Sequence, residues 1–191
     1  MEKLTRAGLL SLEAYALARP EIRARVIAHK RQRRVALGQH ATLLFEDRLT
    51  VQYQVQEMLR AERIFEPAGI RDELDAYNPL VPDGTNWKAT LLIEFPDERE
   101  RRVALAQLRG VEDRCYVAIA AERTYAIADE DLDRENAQKT SAVHFLRFEL
   151  PATAREALAA GAPLRFGIDH PAYSHEVTAS PDVRAALLAD L

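Results

Sequence analysis

Two segments in the second half of the chain repeat one order of elements: a strand, a proline, a short Ala/Leu-rich helix, a glycine and a second strand. Their sequences are LIEFPDERERRVALAQLRGVEDRCYVAI (residues 92–119) and LRFELPATAREALAAGAPLRFGI (residues 146–168). Pro96 and Pro151 suit the first turns of the helices, and Gly110 and Gly161 suit their ends. The repeated order predicts two strand–helix–strand units, which arise either from duplication or from shared physical requirements.

A sheet is predicted from these units and from the segment between them. That segment, YVAIAAERTYAIAD, indicates a hairpin that turns near residues 121–123. The predicted strands cover about residues 88–95, 113–120, 124–128, 140–150 and 163–169. We therefore expect an α+β fold in which N-terminal helices pack on a mixed or mainly antiparallel sheet. The expected organisation is a single α+β domain over residues 1–191, with a basic helical N-terminal segment at 1–34 and the main sheet at 88–170.

The first half of the chain is predicted to be mainly helical. Pro20 separates two expected helices, over about residues 5–18 and 20–33. The segment VALGQHATLLF (35–45) predicts a strand that Gly38 interrupts. Two more helices are expected over about 47–64 and 67–76, followed by a turn-rich loop over 77–87.

Composition is typical of a globular chain, with 29% charged and 48% hydrophobic residues. No apolar run is long enough to span a bilayer, and the N-terminal segment lacks the layout of a signal peptide. The single cysteine, Cys115, excludes an internal disulfide and any Cys-rich zinc or iron–sulfur site within this chain. These features predict a cytoplasmic protein without a membrane partner.

The net charge of −4 conceals an uneven distribution. Residues 1–34 contain nine Lys and Arg against three Asp and Glu, whereas the remainder contains 17 against 27. The basic end either docks on the acidic body or binds an anionic partner. Its most basic run, HKRQRR (29–34), is short and has no interleaved aromatic residues, which argues against nucleic-acid binding.

Glu62 falls within the apolar stripe of the helix predicted over 47–64. The stripe occupies an arc of roughly 120° and consists of Val51, Val55, Met58, Leu59 and Phe65. A buried carboxylate needs a partner, and the preceding predicted helix offers His29 and Arg33, which extend its own apolar stripe. We predict that Glu62 forms a buried structural pair with Arg33 or His29; the alternatives are that it lines a ligand pocket with them or lies exposed at the edge of the stripe. Arg60, on the polar face of the same helix, is a further candidate for ligand binding.

His144 and His170 lie at the ends of two apolar strand faces. Alternation places His144 on one face of its strand and Arg147, another candidate ligand-binding residue, on the other. If the two strands are antiparallel neighbours, the histidines converge and could share a metal ion or a ligand; if they are parallel, the histidines lie roughly 20 Å apart. Each could instead be a hydrogen-bonded residue at the edge of the core. No motif indicates a cofactor, which therefore stays unknown apart from this candidate metal.

The loop over residues 77–87 (YNPLVPDGTNW) is predicted to line a pocket with Tyr77, Asn78 and Trp87, or to cover the core with its aromatic side chains. Cys115 alternates with apolar residues, which predicts a buried, unreactive thiol. The chain has no triad-like order, Gly-rich phosphate loop or Walker motif.

Several strings together are similar to one bacterial protein family: ARVIAHK, LLFEDRLTVQYQVQEMLRAERIFE, YNPLVPDGTNWKATLLIE, KTSAVHFLRFEL and GIDHPAY. Over nearly its full length the chain resembles this family of unknown function, whose genes often lie beside rubrerythrin. A heterodisulfide-reductase-like iron–sulfur protein with cysteine-rich CCG domains is commonly encoded there too. The resemblance implies association with redox or peroxide defence and brings no set of catalytic residues. The single cysteine and the absence of Glu-x-x-His pairs indicate that the chain is neither of those two proteins itself.

Two functional predictions follow from the residues and the resemblance. The first is an accessory or interaction protein of a rubrerythrin and iron–sulfur redox system, with rubrerythrin and the CCG-domain protein as partners. The second is a small-ligand or metal-dependent enzyme, with a site built from Glu62, His29 and Arg33 or from His144 and His170. Whether the protein is catalytic stays open at this point.

Overall fold

The structure, a computed structural model, describes residues 2–128 and 139–191. Its strands are β1 (Arg34–Leu37), β2 (Ala41–Glu46), β3 (Asn86–Ile93), β4 (Cys115–Ile119), β5 (Glu122–Tyr125), β6 (Ile127–Ala128), β7 (Val143–Glu149), β8 (Leu164–His170) and β9 (Tyr173–Thr178). Its helices are α1 (Leu12–Arg31), α2 (Arg48–Ala61), α3 (Pro67–Tyr77), α4 (Glu98–Gln107), α5 (Ala152–Ala159) and α6 (Pro181–Leu188). Short 3-10 helices cover Arg6–Gly8, Asn78–Leu80 and Glu112–Arg114.

The strands form two sheets that pack face to face. Sheet A has the order β1–β2–β3–β7–β6, and sheet B has the order β5–β4–β8–β9. Every described pairing between neighbouring strands is antiparallel. The predicted α+β class and mainly antiparallel pairing are therefore confirmed.

Aromatic side chains from both sheets meet in the core between them. Phe45 of sheet A lies 5.1 Å from Phe166 of sheet B, measured between ring centroids. Trp87 meets Phe45 edge to face at 6.0 Å and is fully buried, and its indole N–H donates to the carbonyl of Leu187. Trp87 thus belongs to the core, which agrees with the second alternative for this loop, in which its aromatic side chains cover the core.

The two strand–helix–strand units are confirmed, but the prediction of one main sheet over residues 88–170 is wrong. Each unit begins in sheet A, crosses through its helix and ends in sheet B: β3–α4–β4 in one, β7–α5–β8 in the other. Equivalent strands then pair, β3 with β7 and β4 with β8. A sheet has an apolar face that must be buried. Two sheets that pack face to face bury the apolar faces of both, which a single sheet cannot do. The stretch 129–138 of the predicted sheet lies outside the described residues.

Helix α1 runs through Pro20, so the predicted break there is wrong. Tyr15 and Val26, on either side of the proline, are both buried. Their burial favours one continuous helix even though an interior proline costs about 3 kcal/mol. Pro20 and Ala16 are exposed, so water can bond to the Ala16 carbonyl that the proline leaves without a donor.

Residues 35–45, predicted as one interrupted strand, form the hairpin of β1 and β2. Leu37 pairs with Ala41, and Gly38 adopts a φ of +75° in the turn. A side chain at Gly38 would also lie only 2.6 Å from the hydroxyl of Tyr173. The turn therefore needs glycine for its conformation and for its close contact with β9.

A helical layer covers part of the outer face of sheet A. Helices α2 and α3 were predicted within a few residues, and the Asp47 side chain caps α2 in a reciprocal capping box with Thr50. The layer has its own apolar cluster, formed by Leu4, Val51, Val55, Leu59, Leu74 and Val81. Strand β9 and helix α6 were not predicted; α6 closes the core between the sheets with Val183 and Leu187.

Among the described residues, no helix has the length and apolarity needed to cross a bilayer.

Candidate functional site

Glu62 is exposed and does not join the predicted group with His29 and Arg33. Helix α2 ends at Ala61, Glu62 is its C-cap, and Arg63 adopts a φ of +56°. The chain therefore leaves the helix before the stripe reaches Phe65, which is 66% exposed. The predicted pairing of Glu62 with Arg33 or His29 is therefore wrong, and the alternative of exposure at the edge of the stripe is the one observed.

Arg33 and His29 instead meet two aspartates. The Arg33 guanidinium donates two hydrogen bonds to Asp190, at 2.6 and 2.8 Å, and its Nε lies 3.1 Å from the Asp47 carboxylate. His29 Nε2 lies 2.6 Å from the same Asp47 oxygen. Burial opposes the charge on Arg33, but the hydrogen bond and charge of Asp190 outweigh it, so the pKa of the guanidinium is raised. This network ties the end of α1 to the start of α2 and to the C-terminal residues.

His144 belongs to a buried polar cluster on the inner side of β7. Its Nε2 lies 2.9 Å from the Thr140 hydroxyl and 3.7 Å from Glu112 Oε2. Thr140 in turn lies 3.3 Å from the Glu112 carboxylate. All three residues are buried, which makes the cluster part of the packed interior.

His170 lies in the other sheet and has different partners. Ala172 N–H donates to His170 Nδ1 at 3.2 Å, so Nε2 carries the proton that is donated to the Arg109 carbonyl at 3.0 Å. Neither predicted arrangement of neighbouring strands occurs, because β7 and β8 belong to different sheets. Within residues 2–128 and 139–191, no three His, Cys, Asp or Glu side chains form a group able to hold a metal ion.

Of three further candidates, Asn78 and Arg147 have structural contacts of their own. The Asn78 side chain accepts from Leu4 N–H at 2.7 Å and donates to the Leu4 carbonyl at 3.0 Å, which fastens the N-terminal segment to the end of α3. Arg60 is exposed on α2. Arg147 lies on the outer face of sheet A, opposite Lys88 in the strand register, and forms an ion pair with Glu149.

Tyr77 is the predicted residue that does line a cleft. The cleft has a volume of about 230 Å³ and lies between the helical layer and the outer face of sheet A. Its floor consists of outward-facing side chains of three adjacent strands: Leu44, Thr90, Leu92 and Phe145. Its opposite wall consists of Lys30, Val51, Gln54, Tyr77 and Leu80. This volume lies below the range of about 300–1,000 Å³ that is usual for ligand pockets, so the cleft can hold only a small ligand.

Glu46 holds the most defined polar position in this cleft. Thr50, in the first turn of α2, donates its hydroxyl to Glu46 Oε2 at 2.5 Å. Thr90, on the neighbouring strand β3, donates to Oε1 at 2.7 Å. Two hydroxyls from different elements thus fix a half-buried carboxylate beside an apolar floor.

Glu46, Thr50 and Thr90 were not identified from the sequence as site residues. One feature of the sequence could have indicated Glu46: it is the last residue of a strand and directly precedes the capping residue Asp47. The partner Thr90 lies 44 residues away, and only the register of β2 with β3 places it beside Glu46.

Cys115 is fully buried, as predicted, and burial raises the pKa of its thiol. Nearby carboxylates act in the same direction, Glu112 first among them. A thiol whose pKa is raised is a poor nucleophile, which supports a packing role.

Comparison with known proteins identifies the family of this chain and one similar solved structure. Residues 3–191 match the family described as "Protein of unknown function (DUF3501)". A crystal structure of a novel protein of unknown function from Burkholderia pseudomallei K96243 is similar over 100% of both chains, with 56% sequence identity and a TM-score of 0.94. No curated protein matches the sequence.

Proposed function

We propose that this chain, which belongs to the DUF3501 family of proteins of unknown function, is a non-catalytic accessory protein of a redox system. The proposed partners are rubrerythrin and a heterodisulfide-reductase-like iron–sulfur protein with CCG domains. Support for these partners comes from the family resemblance of the quoted strings, since genes of that family often lie beside the genes of both proteins.

The proposed accessory role includes binding a small amphipathic ligand in the sheet A cleft. The observation that carries this step is the Glu46 carboxylate, whose two oxygens each accept one threonine hydroxyl. A carboxylate oxygen has a second acceptor position, which a ligand N–H or O–H can fill. Leu44, Leu92 and Phe145 offer apolar surface beside it. The ligand class is therefore a short apolar body that ends in an ammonium or hydroxyl group.

Amide chemical-shift titration of the full chain tests the ligand class with three probes: n-hexylamine, 1-hexanol and hexanoate. We expect shifts clustered around the cleft with the amine and the alcohol and weaker binding of hexanoate, because Glu46 repels a second carboxylate and Lys30 on the opposite wall only partly offsets this repulsion. Glu46→Gln should weaken amine binding by about tenfold, since a charge-assisted hydrogen bond becomes neutral. Glu94→Gln, an exposed glutamate that does not line the cleft, is the matched control. Equal binding of all three probes, or an unchanged Glu46→Gln titration, would contradict the proposed site.

Reconstitution with the purified neighbours tests the partnership separately. We expect the chain to co-elute with rubrerythrin or with the CCG-domain protein in size-exclusion chromatography at low salt. Elution of every mixture as its free components would count against the accessory role. The cleft would then still be tested by the probe titrations, so the two parts of the proposal can fail independently.

A further inference from the structure

The outward face of α1 carries apolar side chains that the rest of the described chain does not cover. Leu17 is 85% exposed and Ile27 is 41% exposed, whereas Tyr15 and Val26 on the opposite face are buried. At about 100° per residue, the outward residues occupy an arc about 100° wide. They are Glu13, Leu17, Pro20, Ala24, Ile27, Ala28 and Arg31, all of them exposed.

Residues of this face are arranged symmetrically along the helix axis about the position of residue 22, so the face is complementary to a second copy of itself. Leu17 and Ile27 lie about 7.5 Å along the axis on either side of that level, at a rise of about 1.5 Å per residue. Glu13 and Arg31 lie about 13.5 Å on either side. If a second copy of α1 lies antiparallel at the same level, Leu17 faces Ile27 of the second copy. Glu13 then faces Arg31, and the symmetry produces this ion pair twice.

We propose that the protein forms a homodimer in which the outward faces of two α1 helices pack antiparallel. Near the centre the face carries Pro20 and Ala24, which are small enough to allow the helix axes to approach within about 8 Å. Antiparallel helices also align their macrodipoles favourably. Among residues 2–128 and 139–191, neither Glu13 nor Arg31 forms an ion pair with another described residue, and both side chains are exposed. The two opposite charges at equal distances match a second copy better than a uniformly acidic partner. This inference does not depend on the cleft or on the redox partners.

Sedimentation equilibrium of the full chain over a range of concentrations tests the dimer. We expect the mass to rise from 21.5 kDa toward twice that value as concentration increases. Leu17→Glu should weaken association by about tenfold or more, because it places an acid against the apolar side chain of the second copy. Val103→Glu is the matched control, since Val103 is 56% exposed on a different helix, α4. A mass that stays at 21.5 kDa at every concentration, or equal weakening by Val103→Glu, would overturn the proposal.

Charge exchange and crosslinking test the orientation. Glu13→Arg alone should weaken association, and the double variant Glu13→Arg with Arg31→Glu should restore it. Oxidation of a variant with Leu17→Cys and Ile27→Cys should give a covalent dimer, because these positions face each other. Leu17→Cys alone should not, since the two copies of that position are about 15 Å apart along the axis. Crosslinking of Leu17→Cys alone, or no recovery in the charge-exchanged variant, would overturn the antiparallel arrangement. Unchanged far-ultraviolet circular dichroism verifies that each variant is folded, and Ile27→Glu provides an independent second disruption.

Discussion

Arg33 connects three segments that are distant in the sequence. It lies at the end of α1, Asp47 caps α2, and Asp190 lies 157 residues away near the C-terminus. The apolar stripe predicted that Arg33 would be partly buried and would need an acidic partner. The identity of that partner could not be predicted, because it depends on where α6 places the C-terminal residues. A helical wheel places Glu62 within the apolar stripe, but the helix ends one residue before it, at Ala61.

Removing Arg33 is expected to destabilise the protein strongly. Arg33→Met leaves the carboxylates of Asp47 and Asp190 buried without their cation, so the free energy of unfolding should fall by about 3–4 kcal/mol. Arg34→Met should change it by less than about 0.5 kcal/mol, because that side chain is 61% exposed. Urea denaturation measures both values. A loss for Arg33→Met as small as that of Arg34→Met would show that the network is not a stabilising connection.

Glu57 gives the protein a specific sensitivity to acid. The hydrogen bonds from Arg19, with a smaller contribution from the Tyr15 hydroxyl, lower the pKa of Glu57 to about 2 from its ordinary value of 4.5, although burial opposes the shift. A lowered folded pKa means that this stabilisation is complete above the ordinary value and is lost as the pH falls toward 2. Both partners are partly exposed, at 31% and 23%, so solvent screening reduces the contribution of Glu57 to no more than about 1 kcal/mol.

The corresponding experiment compares Glu57→Gln with the parent protein between pH 7 and pH 3. We expect the difference in unfolding free energy to be largest at neutral pH and to shrink as the pH falls through the ordinary range of a glutamate. Glu94→Gln, whose carboxylate lies 3.9 Å from Arg34 at an exposed position, should show a small, nearly constant difference. A constant difference for Glu57→Gln would mean that the pKa of Glu57 is not lowered.

Among the helices and strands, the sequence predicts correctly those whose start and apolar pattern are set by neighbouring residues. Helices α2 and α3 combine apolar periodicity with local start signals, Asp47 at the cap of one and Pro67 in the first turn of the other. The β1–β2 hairpin was missed because the role of Gly38 depends on Tyr173, which arrives from β9 in the other sheet. The continuous α1 was missed because burial of Tyr15 and Val26, a tertiary effect, outweighs the local preference at Pro20.

On the outer face of sheet B, the ring of Tyr116 packs closely against Gly167. A side chain at Gly167 of β8 would come within 2.2 Å of Cζ of Tyr116 on β4. The Tyr116 hydroxyl donates to Glu176 on β9 at 2.8 Å, and the Arg123 guanidinium lies 4.2 Å above its ring. Burial and the bond to Glu176 raise the pKa of Tyr116 to about 12. These contacts link β5, β4, β8 and β9 across the outer face of the sheet.

Gly167→Ala is expected to lower the free energy of unfolding by about 2–3 kcal/mol, because the tyrosine ring must leave the sheet. In a Tyr116→Ala background the same substitution should cost much less, since the ring that it would meet is absent. Thermal and urea denaturation of the four proteins of this double-mutant cycle measure the coupling. Equal losses in the two backgrounds would contradict the proposed contact.

At the scale of the whole molecule, the two strand–helix–strand units act as a frame. Each unit contributes one strand to each sheet, and equivalent strands pair, so the frame connects the two sheets and the other strands lie at its edges. The repeated order in the sequence predicted the units, but the division into two sheets is a property of their pairing. The cleft was also beyond prediction, because its floor and its opposite wall come from elements that only the complete fold brings together.

Helix α6 is expected to be essential for the native state although it is the last element of the chain. It closes the core with Val183 and Leu187, its Leu187 carbonyl accepts the indole N–H of Trp87, and the following Asp190 pairs with Arg33. Deletion of residues 181–191 would remove all of these contacts together and expose Trp87, so we expect it to abolish a cooperative unfolding transition.

Trp87 is the single tryptophan, so its fluorescence reports directly on this deletion. Its emission should shift to longer wavelength in the truncated chain, because water replaces the apolar contacts of the indole. Leu187→Ala keeps the backbone carbonyl and the Arg33 pair, and it should lower the unfolding free energy by about 2–4 kcal/mol while the transition stays cooperative. Ala185→Ser, at an exposed position on the same helix, should leave both the emission and the stability nearly unchanged. A truncated chain with native emission and a cooperative transition would show that the sheets form a complete core without α6.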